Sequence, residues 1–141
     1  MTGRDALDHF VQAQDGVFDR ALAEIVAGEK RSHWMWFIFP QIAGLGHSAM
    51  AQRYAIGSLA QARAYLGHKL LGSRLRACVA ALAALPDADP VRVFGPIDAV
   101  KLRSSLTLFE AAGGGAAFAD ALERWFAGNR DAATLDRLAR S

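Results

Sequence analysis

The run His33-Trp34-Met35-Trp36-Phe37-Ile38-Phe39, closed by Pro40, restricts the fold more than any other stretch of the chain. It contains no small residue and is too apolar to leave in water. It is also too short to cross a membrane, which takes roughly 18 uninterrupted apolar residues, and no other stretch approaches that length. The rest of the chain must therefore cover it. Taken locally such a run suits a strand, but the segments on either side have helical periodicity and no partner strand is apparent. A short helix or an extended turn is expected, ending at Pro40 because a proline ring disfavours helix at the residue before it.

Helical spacing recurs along the remaining sequence. Leu7, Phe10 and Val11 mark a first helix over 5–14, and Phe18, Leu22, Ile25 and Val26 mark a second over 17–27, with Gly28 in a C-terminal capping position. Ser48 opens a helix running through Met50 and Tyr54, and Ser58 opens another over 59–66 that Gly67-His68 closes. The stripe Leu71, Leu75, Cys78, Val79 and Leu82 lies within 70–85 and stops at Pro86, which makes this the expected central helix. A turn about Val93-Phe94-Gly95 leads, with Pro96 in the first turn, into 97–112, which buries Leu102, Leu106 and Phe109. Gly113-Gly114-Gly115 stops it, and helices over 116–126 and 131–139 complete the chain. No alternating pattern or internal repeat is present. The expectation is an all-α fold, one domain over 1–141 with an ordered core at roughly 5–139 and about eight to ten helices, several short.

Composition narrows the function classes. A chain of 141 residues with 52% apolar and 21% charged side chains is a packed globule rather than a disordered segment. Sixteen Lys and Arg interspersed with fourteen Asp and Glu leave a net charge of only +2, so a nucleic-acid partner is not expected without a local basic patch. Cys78 is the only cysteine, so no intramolecular disulfide can form, and its apolar neighbours predict a buried thiol. Arg4, Asp5 and Asp8 interrupt the segment where a signal peptide would be apolar, which makes a cytoplasmic location the expectation, with no membrane partner.

Several polar groups exceed what a helical core needs. The histidines at 9, 33, 47 and 68 show no i, i+4 pairing of the kind that grips a metal, and neither metal nor cofactor is expected. Gly44-Leu45-Gly46-His47-Ser48 before a helix could form a backbone concavity for a phosphate or carboxylate, although a turn with an N-cap is the simpler reading. Lys101, Ser104 and Ser105 share a helix face and could bind an anion, or pair as a Ser-Lys nucleophile. The competing reading has Asp98 paired with Lys101 on a solvated face while the serines bond their own backbone. Arg53 and Tyr54, one turn after Ser48, could lean toward whatever the glycine-rich turn holds. Trp34 and Trp36 serve either as core or as the wall of a site for a planar ring, and Gln41 suits a structural hydrogen bond.

The segment Gly28-Glu29-Lys30-Arg31-Ser32-His33-Trp34-Met35-Trp36-Phe37-Ile38-Phe39-Pro40-Gln41, followed by Gly44-Leu45-Gly46 and Ser48, resembles the signature of the bacterial family known as domain of unknown function 1810. The resemblance continues through Arg53-Tyr54-Ala55-Ile56, Ala64-Tyr65-Leu66, His68, Leu71-Gly72 and Arg74-Leu75 to Phe94-Gly95, Asp98, Lys101-Leu102-Arg103-Ser104-Ser105 and Thr107-Leu108-Phe109. It spans the chain from about Phe10 to Leu138. It implies an all-helical fold and no established activity. Some members carry the label calpastatin, a protease inhibitor whose inhibitory segments are disordered, unlike this globular chain. The motif residues matching in polar form are His33, Gln41, Ser48, Arg53, Tyr54, His68, Lys101, Ser104 and Ser105, drawn from four separate segments.

Together these features lead to an expected cleft for a small anionic, nucleotide-like ligand. Arg53 and Lys101 would counter its charge, Trp34 or Trp36 would contact a ring, and His33 would carry the proton in any reaction. The alternative is a protein–protein interaction module that exposes part of the aromatic run as a docking patch.

Overall fold

The computed structural model describes residues 3–140, with side chains from residue 6, so the outermost residues of the expected 1–141 domain lie outside the described residues. Ten helices follow in order: α1 (Gly3–Gln14), α2 (Phe18–Val26), α3 (Met35–Ile38), α4 (Ala49–Arg53), α5 (Leu59–Gly67), α6 (Leu71–Ala84), α7 (Pro90–Phe94), α8 (Pro96–Ala111), α9 (Ala116–Phe126) and α10 (Ala132–Arg140). Among the described residues there are no strands beyond a single parallel bridge between Ile42 and Ile56. None of these helices is long and apolar enough to cross a membrane.

Local chemistry accounts for the boundaries. Ser48 Oγ accepts from Ala51 N–H at 3.1 Å and Ser58 Oγ from Gln61 N–H at 3.1 Å, while Asp89 accepts from Val91 and Arg92 N–H to start α7. Pro90 and Pro96 open α7 and α8, where a missing N–H costs nothing. At the far end of α6, Arg124 donates to the carbonyls of Leu82, Ala83 and Leu85, so a side chain from α9 satisfies acceptors that the helix leaves unpaired.

The central element is α8 rather than the expected α6. It packs against α5, α7, α9 and α10, and every residue from Ser104 to Phe109 is buried. The polar residues Ser104, Ser105 and Thr107 hid this from the periodicity, because two of them turn inward and satisfy themselves within the core. Ser104 Oγ donates to Val100 O, and Thr107 Oγ1 donates to Arg103 O. The Asp98–Lys101 pair is present on the partly exposed first turns, and Ser104 bonds its own backbone, but from Ser104 to Phe109 the helix is buried.

The aromatic run resolves as the one-turn helix α3. Trp34 is 0% exposed, and its ring lies edge-on to Phe94 at 6.3 Å, with Phe94 in turn against Phe39 and Trp125. These contacts seat α3 against the α7–α8 junction. Buried Gln14 reaches across from α1 and donates to Phe37 O at 2.7 Å, pairing a carbonyl that so short a helix leaves open.

Candidate functional site

The loop between α2 and α3 is held by one carboxylate. Glu24 on α2 accepts from Arg31 N–H at 2.8 Å, Ser32 N–H at 3.0 Å, Ser32 Oγ, and the Trp34 indole N–H at 2.9 Å. Burial alone would raise its pKa. The Ser32 hydroxyl, the two backbone N–H groups and the indole outweigh that effect and hold it down at about 2. The loop is also tied to α7, where Lys30 N–H donates to Val93 O at 2.9 Å.

This arrangement delivers Lys30 to the start of α8. Its ammonium donates to Ser32 O at 2.6 Å, lies 2.9 Å from Asp98 Oδ2 and sits 4.9 Å from the Trp34 ring centroid. Asp98 occupies the first turn of α8, where the helix dipole favours a carboxylate. Its other oxygen lies 3.6 Å from Lys101 Nζ, and that ammonium stands 4.8 Å over the Trp36 ring. The two lysines differ in what remains to them. Lys30 is 7% exposed and fully engaged, whereas Lys101 is 21% exposed and has one long ion pair and a ring face.

Between α3 and the α7–α8 junction lies a cleft of about 300 Å³ lined by Lys30, His33, Trp36, Phe94, Gly95 and Asp98, among others. Gly95 turns the chain from α7 into α8 at φ 84°, a conformation that favours glycine, and α8 begins there without a side-chain cap. His33 is exposed at the mouth, and among the described residues neither of its ring nitrogens is hydrogen-bonded. Two ammonium groups against one carboxylate leave one positive charge in excess beside a half-buried indole.

A family model described as "Protein of unknown function (DUF1810)" matches residues 4–138. The chain belongs to the DUF1810 family. The conserved hypothetical protein Rv1873 from Mycobacterium tuberculosis, known from a crystal structure, is 44% identical; the match covers 94% of this chain and 96% of that one, with a TM-score of 0.91. No curated protein matches the chain.

Only part of the DUF1810 motif meets at the cleft. His33, Trp36 and, through Asp98 and Trp36, Lys101 gather there, while Trp34 backs the site from inside the core. Arg53 does not line it. Its guanidinium lies 5.5 Å from the Tyr54 ring, which itself stacks on His9. The glycine-rich turn is covered from above by Arg137, which donates to Gly44 O at 3.2 Å, and Ser48 caps α4. Helix α4 has only five residues and supplies little dipole. His68 is a cap as well: its Nδ1 accepts from Leu70 and Leu71 N–H, both at 3.2 Å, at the start of α6. Gln41 contributes its backbone carbonyl to Ile56 N–H at 2.8 Å.

Ser104 and Ser105 lie in the core, not at the cleft. Ser104 Oγ also lies 3.1 Å from Asp131 Oδ2, so that its one proton is shared between Val100 O and the carboxylate that starts α10, and Ser105 Oγ is buried without a partner among the described residues. Lys101 therefore shares no site with either hydroxyl, and the Ser-Lys nucleophile has no geometric basis. The residues that sequence reasoning missed are Glu24, which carried no signal beyond its place off the apolar stripe of α2, and Lys30, which stood inside the quoted motif as one of several charged residues.

Proposed function

We propose that the cleft between α3 and the α7–α8 junction binds a small anionic ligand bearing a planar ring. The carrying observation is Lys101, an ammonium poised over the half-buried Trp36 ring and paired only at 3.6 Å with Asp98. Lysine offers rotatable donors on a point charge, which suits a phosphate or carboxylate, and the uncapped start of the sixteen-residue α8 adds positive potential on the same side. Pockets for small molecules run from about 300 to 1,000 Å³. At the lower end of that range, this cleft fits one ring with one anionic group and not a dinucleotide.

His33 stands at the mouth as a donor or proton carrier for the ligand. Among the described residues no second side chain orients its ring, so binding rather than catalysis is the function supported best. The test is a thermal-shift and calorimetric titration with adenosine monophosphate, phenyl phosphate, benzoate and inorganic phosphate. The expected result is stabilisation by ring-bearing anions that is lost in Lys101→Ala and Trp36→Leu and kept in Arg53→Ala. A shift unchanged in Lys101→Ala, or no shift with any of the four probes, overturns the reading.

A further inference from the structure

A small pocket lies where α1 ends and α6 begins. It encloses about 180 Å³ and is lined by Val11 and Gln12 of α1, Asp15 just past that helix, Leu70 just before α6, and Arg74 in the first turn of α6. The Arg74 guanidinium is held from behind: Nη1 donates to Gln14 Oε1 at 3.3 Å, and the group stands 5.0 Å from the Phe18 ring centroid. Gln14 is 1% exposed and is fixed in turn, since its Nε2 donates to Phe37 O at 2.7 Å and to Tyr65 Oη at 3.0 Å, which leaves its carbonyl oxygen for Arg74. A buried network thus sets the position of a half-buried cation that uses one N–H of its fork and has no carboxylate partner among the described residues. Asp15 lines the same pocket from the other helix, and its exposed carboxylate makes no hydrogen bond or ion pair among the described residues.

We propose that this pocket binds a free α-amino acid with a small apolar side chain, its carboxylate on Arg74, its ammonium on Asp15 and its side chain against Val11 and Leu70. Opposite charges that line one pocket without pairing select a zwitterion. An anion alone sets its charge against Asp15 and a cation alone against Arg74, whereas an amino acid meets both. The helix ends agree in sign, with the positive start of α6 on the Arg74 side and the negative end of α1 on the Asp15 side. A guanidinium fork also matches a carboxylate in shape. A cavity of about 150 Å³ holds a molecule the size of benzene. The pocket therefore suits alanine or valine and excludes a nucleotide. It is separate from Lys101 and Trp36, so it stands whether or not the cleft binds an anion.

The test is calorimetric titration of the full chain with L-valine, L-alanine and two half-ligands: isovalerate, which is valine without its ammonium, and isobutylamine, which is valine without its carboxylate. The amino acids are expected to bind saturably, and each half-ligand at least about tenfold more weakly. Asp15→Asn and Arg74→Gln are each expected to weaken amino-acid binding at least about tenfold, while Arg53→Ala leaves it unchanged. Asp15→Asn is decisive, because the position is exposed and its carboxylate makes no contact that holds the fold. The proposal is overturned by the absence of saturable binding with both amino acids, or by binding indifferent to Asp15→Asn. Isovalerate binding as tightly as valine also overturns it, since the site then reads an anion alone.

Discussion

Glu24 and Lys30 are the residues on which the geometry of the cleft depends, although neither presents a reactive group to it. The folded pKa of Glu24 lies below its ordinary 4.5, at about 2. The carboxylate therefore contributes stability that is fully present above about pH 4.5 and is lost as pH falls toward 2. Urea unfolding of Glu24→Gln is expected to show about 2 kcal/mol less stability at pH 7 and a shallower fall below pH 4.5 than wild type. Parallel pH curves for the two proteins would show that the four donors do not act through the charge.

The lysines separate in the same way. Lys30→Ala removes the ammonium packed on Trp34 and leaves Asp98 only its longer contact with Lys101, and is expected to cost about 2–3 kcal/mol, whereas Lys101→Ala costs under about 1 kcal/mol, measured by the same unfolding curves. Of this network, only the Asp98–Lys101 pair was legible in the sequence, from its spacing on one helix. The partnership of Lys30 with Asp98 joins two segments that only the tertiary fold brings together.

At the level of the elements, helix starts and stops were readable because their chemistry is local: serine and aspartate caps, prolines in first turns, and glycines after last turns. The buried character of α8 was not, because Ser104 and Thr107 look like surface residues until their hydroxyls are seen to bond carbonyls on their own helix. Helix pairing adds a further constraint at Gly72 on α6. A methyl group there would run into the carbonyl oxygen of Leu66 on α5, which also accepts from Arg76 Nη1 at 2.9 Å. Gly72→Ala is expected to destabilise the protein by about 3 kcal/mol through forced separation of α5 and α6, read from the shift in denaturant midpoint. A change within about 0.5 kcal/mol would mean that the two helices part without cost.

For the molecule as a whole, the single core gives a global reporter in Cys78. It is buried on α6, and burial pushes its thiol up to about 12. An aromatic disulfide reagent is expected to modify it only as fast as the chain opens, with rates that rise with denaturant in step with unfolding; fast modification of the native protein would contradict a closed core.

Burial of the aromatic run was legible from its size and apolarity. Which motif residues would converge was not, because caps such as His68 and Ser48 and cleft-lining groups such as His33 are drawn from the same residue types. The indole N–H signals of Trp34, Trp36 and Trp125 in a proton–nitrogen correlation spectrum separate these roles during titration with phenyl phosphate. Trp36 is expected to shift and to stop shifting in Lys101→Ala, while the buried Trp34 and Trp125 hold still. A spectrum in which Trp36 stays in place at saturating probe would remove the cleft as the ligand site.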